Sequence, residues 1–365
     1  MMDIPAPTVA ALGGLAGGIA LGVTARWGRF CTLGAIEDAI FGSSMDRMRM
    51  WALAIAVACV GSFLIAATGL VDIDESFYLI APASVSSTFV GAVMFGLGMA
   101  FVGTCGFGML ARIGGGDLKS IVTFLVMGVS AYATARGATG LIRIWAFSEP
   151  EIRSQPAGIA HTLSQVTGIS QLIIAISISA LLAIWALRSA SLRANPGRLI
   201  TALGVGLVIV WGWLVTGLIA RNDFETTQLV SYTFSVPPGE TLIYFMTMSG
   251  AQLNFGIGAV VGVVIGAFAT ALGKKEFRWE ACDDDVELRR QMVGGFLMGT
   301  GSVLAQGCTV GQGLSAASLL AWTVPLALAG MFIGAWFGLQ YLITGSVIEP
   351  VRALTTNWRN EGETG

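Results

Sequence analysis

Charge is scarce in this sequence. Only 12% of its residues are Asp, Glu, Lys or Arg, about half of the roughly 25% usual in soluble domains. So few charges cannot cover the surface of a soluble globule of 365 residues. No long polar tract is present, which excludes a disordered chain. Cysteine is too sparse for a disulfide framework: there are five, an odd number, with no C-x2-C spacing. One histidine, His161, is too few for a zinc ligand set, and neither a metal nor a cofactor is expected. There is no G-x4-G-K-[ST] loop, so the chain does not itself hydrolyse ATP and is read as a non-enzyme. A net charge of −2 suggests no nucleic-acid partner.

Apolar residues, 55% of the chain, and glycine, 49 positions, fill the space. Glycine is nearly twice the roughly 7% norm. It lets membrane helices approach closely and marks places where they break. The apolar segments are helix-length and show no ten-residue alternation, so the fold class is all-α, a polytopic protein in a lipid bilayer, rather than an outer-membrane barrel. Nine spans are predicted: about 8–25, 50–70, 86–104, 118–138, 169–187, 198–220, 253–273, 290–306 and 319–343, each near the length a ~30 Å hydrocarbon core demands. The first lacks a basic flank and an A-x-A site, so it is not read as a cleaved signal peptide. With the N-terminus outside, sixteen Lys and Arg fall on the inner side, and only Arg136, Arg143, Arg153 and Arg221 on the outer. The split predicts an outer N-terminus and a cytoplasmic C-terminus. The charged stretch 274–290 is expected to form a short cytoplasmic helix. Segments 139–168 and 222–252 are long enough to hide short interfacial or re-entrant helices.

Residues 91–108 (GAVMFGLGMAFVGTCGFG) and 294–311 (GGFLMGTGSVLAQGCTVG) share G-x4-G-x-G-x6-C-x2-G at an offset of 203. That offset spans five crossings, an odd number, so the copies lie in opposite orientations. Residues 1–168 are then a first half, 169–197 a connecting span, and 198–365 a second half; spans one to four pair with six to nine. Inverted repeats of this kind place a substrate site near the midplane in many secondary transporters.

A third C-x2-G occurs at Cys31–Gly34, beside Cys105–Gly108 and Cys308–Gly311. Each Cys stands where an apolar span stops, and the following segments, 32–41, 109–120 and 310–320, are expected to restart as short helices. The free N–H groups of such helix starts favour an anion. Thiols add soft, polarizable atoms with weak S–H donors, better suited to a sulfur-containing anion than to a hard cation. Cys59 and Cys282 read as fillers. Arg29, Arg112 and Lys119 either attract the anion or simply obey the positive-inside rule. Gln306 and Gln312 bracket Cys308. Glu37 and Asp38 are expected to face water or cap a helix, and His161 to sit in an external loop without a role.

GRFC (28–31), GTCGFGMLARIGGGDLKS (103–120), SYTFSVPPGETL (231–242) and GGFLMGTGSVLAQGCTVGQGLSAAS (294–318) resemble the YeeE/YedE family of bacterial sulfur-transport membrane proteins. The resemblance implies an hourglass-shaped inner-membrane protein that takes up thiosulfate. In it Cys31, Cys105 and Cys308 relay the anion by S–H···S contacts, and a small cytosolic TusA-like sulfurtransferase is the partner. Some relatives are associated with selenium, so a selenium-compound transporter is one alternative. A membrane sulfurtransferase carrying a Cys persulfide is another, and a non-catalytic anchor for a sulfur-relay protein a third.

Overall fold

The protein, seen as a computed structural model, is described over residues 5–42, 44–81, 84–147, 158–221, 228–281 and 284–346. The chain order is α1 (Ala6–Trp27), a short α2 (Thr32–Ile40), α3 (Asp46–Ala67), one-turn α4 (Phe77–Ile80), α5 (Val85–Val102), short α6 (Gly106–Ile113), α7 (Leu118–Arg136), α8 (Ala138–Ala146) and α9 (Ile159–Thr167). Then come α10 (Gln171–Leu187), one-turn α11 (Ala190–Arg193), α12 (Pro196–Leu214), α13 (Pro237–Met246), α14 (Phe255–Gly273), α15 (Asp285–Leu304) and α16 (Thr323–Thr344). A π-helical turn extends α12 to Ile219, and another, Gly311–Ala316, forms the centre of a short helix between α15 and α16.

Among the described residues, seven stretches are long and apolar enough to cross a membrane: Ala6–Ile40, Asp46–Ala67, Val85–Ile113, Leu118–Arg136, Pro196–Ile219, Phe255–Gly273 and Thr323–Thr344. The protein is therefore an all-α polytopic membrane protein. The other two expected spans are also helices, but they differ in kind. α10 is apolar but only 17 residues long. α15 opens with Asp285, Glu287, Arg289 and Arg290 before its apolar part begins. The described residues of the charged stretch 274–290 hold no separate helix. Its residues 276–279 are irregular, Glu280 pairs with the backbone of Asp117 and Leu118, and helix resumes as the first turn of α15. Cys282, expected to be a filler there, lies outside the described residues. The long connections do carry short helices, namely α8, α9 and α13.

Local chemistry sets the helix ends. Asp117, Asn254 and Ser84 cap α7, α14 and α5, each side chain accepting a backbone N–H three residues on. Gly103, Gly168 and Gly345 end α5, α9 and α16 in the left-handed conformation.

Lipid tails are as apolar as Leu, so packing between spans has to come from close backbone approach. α1 and α14 run parallel with their glycines interlocked. A Cβ at Gly14, Gly18 or Gly22 would strike the carbonyls of Phe255, Ala259 or Val263; one at Gly258, Gly262 or Gly266 would strike those of Ala11, Leu15 or Ile19. α5 and α15 cross antiparallel, Gly91 against Gly301 and Gly98 against Gly294. Four glycines of the shared sequence motif are therefore backbone contacts between the two copies, while Gly96 packs on α16 and Gly299 on α7. The packing also comes in matched pairs at the 203-residue offset: α1 on α14 and α12 on α3, α5 on α16 and α15 on α7, α7 on α13 and α16 on α2.

Candidate functional site

All three C-x2-G cysteines stand at the first position of a short helix. Cys31 is the N-cap of α2, Cys105 that of α6, and Cys308 directly precedes the helix around the π-turn. The helix after Cys105 starts at Gly106, three residues before the expected restart, because Gly103 ends α5 sharply. The glycine three residues on has two roles. Its N–H acts on the sulfur: Gly311 N donates to Cys308 Sγ at 3.4 Å, and the N–H groups of Gly34 and Gly108 act on Cys31 and Cys105 in the same sense. Its missing side chain also leaves room for a polar neighbour. A Cβ at Gly108 would collide with the Thr104 hydroxyl, one at Gly311 would lie 2.5 Å from Thr233 Oγ1 and 2.9 Å from the Tyr78 hydroxyl, and one at Gly34 would collide with the Arg47 guanidinium.

The thiols form an ordered row. Cys31 lies within electrostatic range of Cys105, and Cys105 within that of Cys308. Cys105 and Cys308 are fully buried, and Cys31 is half-buried. Hydroxyls accompany each one: Thr104 at Cys31, Thr32 and Thr309 at Cys105, Thr233 at Cys308 with Oγ1 4.0 Å from the sulfur. Where the 203-residue offset would put a counterpart to Cys31 stands Phe234. Its N–H donates to Cys308 Sγ at 3.2 Å, and its ring stacks on Phe107 with centroids 5.6 Å apart.

Phe234 belongs to an extended, non-helical run through the protein interior. Non-helical backbone at membrane depth needs partners within the protein, and side chains supply them. Thr216 Oγ1 donates to the Val230 carbonyl, Ser315 Oγ donates to the Tyr232 carbonyl at 2.6 Å, and the Tyr232 hydroxyl reaches the Gly13 and Gly14 carbonyls.

Two cavities flank the row at opposite ends of α1, α7 and α15. One, about 710 Å³, is lined by Pro7, Arg136, Arg143, Asn254, Ser302 and Gln306, and by Tyr78 and Thr233 beside Cys308. The other, about 580 Å³, is lined by Arg26, Glu37, Gly103, Arg112, Lys119 and Gln291 at the Cys31 end.

The expected neighbours fall out unequally. Arg112 donates to the Gly103 carbonyl at 2.7 Å and interacts with Cys31. Lys119 pairs with Glu287 at 3.4 Å in the second cavity. Arg29 is exposed, in a left-handed backbone conformation. Gln312 is fully buried with both ends used: Nε2 donates to the Ala305 carbonyl and Oε1 accepts from Thr323. It braces the break after α15. Gln306 turns the chain there at φ 56°. Asp38 holds Arg47 at 3.1 Å. Cys59 is buried in α3, its thiol 4.0 Å from the Ala175 carbonyl and beside the Ser179 hydroxyl. His161 is not a plain loop residue, because it is buried and its Nε2 lies 2.7 Å from Asp74. Sequence reasoning missed Arg47 and the threonines. The adjacency of Thr32, Thr104 and Thr309 to each Cys was the available signal.

Comparison with known proteins agrees with this architecture. A family model described as "Sulphur transport" matches residues 27–337. A protein of Escherichia coli (strain K12) named thiosulfate transporter TsuA is 26% identical over 357 residues, covering 89% of this chain and 92% of that protein. A protein of the same name from Spirochaeta thermophila is 26% identical over 331 residues, covering 88% and 96%. The match extends across all three cysteine-bearing helix breaks, and the chain belongs to the sulphur-transport (YeeE/YedE) family.

Proposed function

We propose that this protein takes up thiosulfate across the bacterial inner membrane, passing it from Cys308 to Cys105 to Cys31. The observation that carries the reading is the ordered row of three thiols between two cavities at opposite ends of the helices. The thiosulfate-transporter names of two relatives, each matched over most of its length, support the substrate. In this reading the Arg136 and Arg143 cavity faces outward and gathers anions. The helix-start N–H groups at Gly311, Gly108 and Gly34 offset the charge of the anion as it loses water. Each thiol donates a weak S–H bond to the terminal sulfur, and no step along the row is deep enough to trap it. Arg47, Arg112 and Lys119 receive the anion on the inner side, where a TusA-like sulfurtransferase consumes it. The nine crossings form two inverted halves, residues 1–168 and 198–365 joined through 169–197, a reading supported by the matched packing pairs.

The test is uptake of labelled thiosulfate by cells lacking their own system. Cys105→Ala is expected to abolish uptake at normal membrane abundance, and a tenfold excess of sulfate to leave wild-type uptake unchanged. Uptake by Cys105→Ala at the wild-type rate refutes the relay.

A further inference from the structure

Thiosulfate has two chemically different ends: one soft sulfur and three hard oxygens. Thiols suit the first and are poor partners for the second. Each buried thiol nevertheless has a threonine hydroxyl at hand, and at the middle thiol there are two. Thr309 is 1% exposed. Its hydroxyl approaches the Cys105 sulfur, yet it forms no hydrogen bond of regular geometry with any group. The Thr32 hydroxyl, which reaches Cys105 from α2, is in the same condition. A buried hydroxyl without a partner is costly and uncommon. Most other threonines in these helices avoid the cost by bonding a carbonyl three or four residues back, as Thr123, Thr134, Thr201 and Thr241 do. Thr32 and Thr309 each stand one position after a cysteine at a helix start, where no earlier helical carbonyl lies within reach.

We infer that Thr309 and Thr32 form an oxyanion-positioning pair, donating to the sulfonate oxygens of a sulfur oxyanion while its terminal sulfur meets Cys105. The inference rests on the proposed thiol pathway and extends it. The middle site then reads both ends of the substrate, and selects ions that carry a soft atom and hydroxyl-accepting oxygens together. An anion with sulfur alone, such as sulfide, uses only the thiol; sulfate, with oxygens alone, uses only the hydroxyls. Thr233, beside Cys308, already has another polar neighbour, its Oγ1 lying 3.3 Å from Ser235 Oγ.

The experiment measures thiosulfate uptake kinetics of the full chain in cells, with sulfide as a competitor. Thr309→Val keeps the shape and removes the hydroxyl. A hydrogen bond to an ion is worth about a factor of ten or more, so the KM for thiosulfate should rise roughly tenfold, and Thr309→Ser should restore it to within about twofold. Inhibition by sulfide should stay unchanged in Thr309→Val, whereas a packing defect at Cys105 would weaken sulfide and thiosulfate alike. Thr32→Val reads the same pair from another helix if Thr309→Val fails to reach the membrane. Normal thiosulfate KM in both valine variants, with Cys105→Ala inactive, overturns the oxyanion pair and leaves the thiol pathway standing. Normal transport by Cys105→Ala overturns both.

Discussion

Replacing Gly108 by Ala adds one methyl group at the most crowded of the three C-x2-G sites. The new Cβ would overlap the Thr104 hydroxyl, lie 3.3 Å from Thr104 Cβ and 3.8 Å from Cys105 Sγ. Thr104 is 2% exposed and its hydroxyl is held beside Cys31, so any retreat moves it from the thiol. Overpacking of this kind costs about 1–3 kcal/mol, against which the better helix propensity of Ala returns at most ~1 kcal/mol. The matched control is Gly273→Ala at the end of α14, where a Cβ meets nothing within 4 Å. There the propensity gain stands alone, so the two variants should differ by about 2 kcal/mol. In a purified protein of 365 residues this is a separation of about 3 °C between melting temperatures, Gly108→Ala below wild type and Gly273→Ala at or above it. Thiosulfate uptake per folded molecule should fall only in Gly108→Ala, because Thr104 is displaced from Cys31. Equal melting temperatures and equal uptake for the two variants would refute the argument that the glycine exists to make room beside the thiol.

Two further outcomes are expected. Asp46 accepts from Ser189, Ser191 and Arg198 at 2.9, 2.6 and 2.9 Å, tying the start of α3 to the turn before α12. Asp46→Ala should cost about 2 kcal/mol, less than a fully buried pair because Arg198 is partly solvated, read as a lowered melting temperature with uptake per folded molecule retained. A reporter active only in the cytoplasm should be silent when inserted at Gly69, an exposed turn where insertion spares the buried Ile73, and active when fused after residue 365; activity at both positions would refute the assigned orientation.

Much of the fold was legible because membrane helices announce themselves by length and hydropathy. The cysteine-bearing breaks were legible because a Cys followed by Gly at three residues recurs three times in a chain with five Cys. α15 was harder: four charges in its first six residues leave too short an apolar window, although the helix itself is continuous. The glycine pattern before Cys105 and Cys308 was read together with the thiols, yet it serves helix packing: Gly91, Gly98, Gly294 and Gly301 between α5 and α15, Gly96 on α16 and Gly299 on α7. Arg29 and Arg47 look alike in sequence, both basic and both at an inner edge. Only the fold brings Arg47 over Gly34 and leaves Arg29 in solvent, since that depends on how α3 returns past α2. Gln312 beside a cysteine suggested a ligand-facing amide, but a helix break leaves carbonyls such as that of Ala305 in need of a donor, and Gln312 supplies it.

The interlocked glycines bear on how anything could cross this protein. α1 comes from the beginning of the chain and α14 from its later part, and their backbones touch along three successive turns, carbonyl against glycine. α5 is clasped in the same way by α15 and α16. A cycle in which one half of the molecule tilts against the other would have to pull these helices apart, and each ångström of separation would open a void that neither lipid nor a side chain is present to fill. Movement is cheapest where no such seam runs, in the short helix starts and the side chains around the three cysteines. Under the proposed thiol pathway, the kinetic signature of that arrangement is a turnover limited by passage of the ion past a narrow, nearly stationary point.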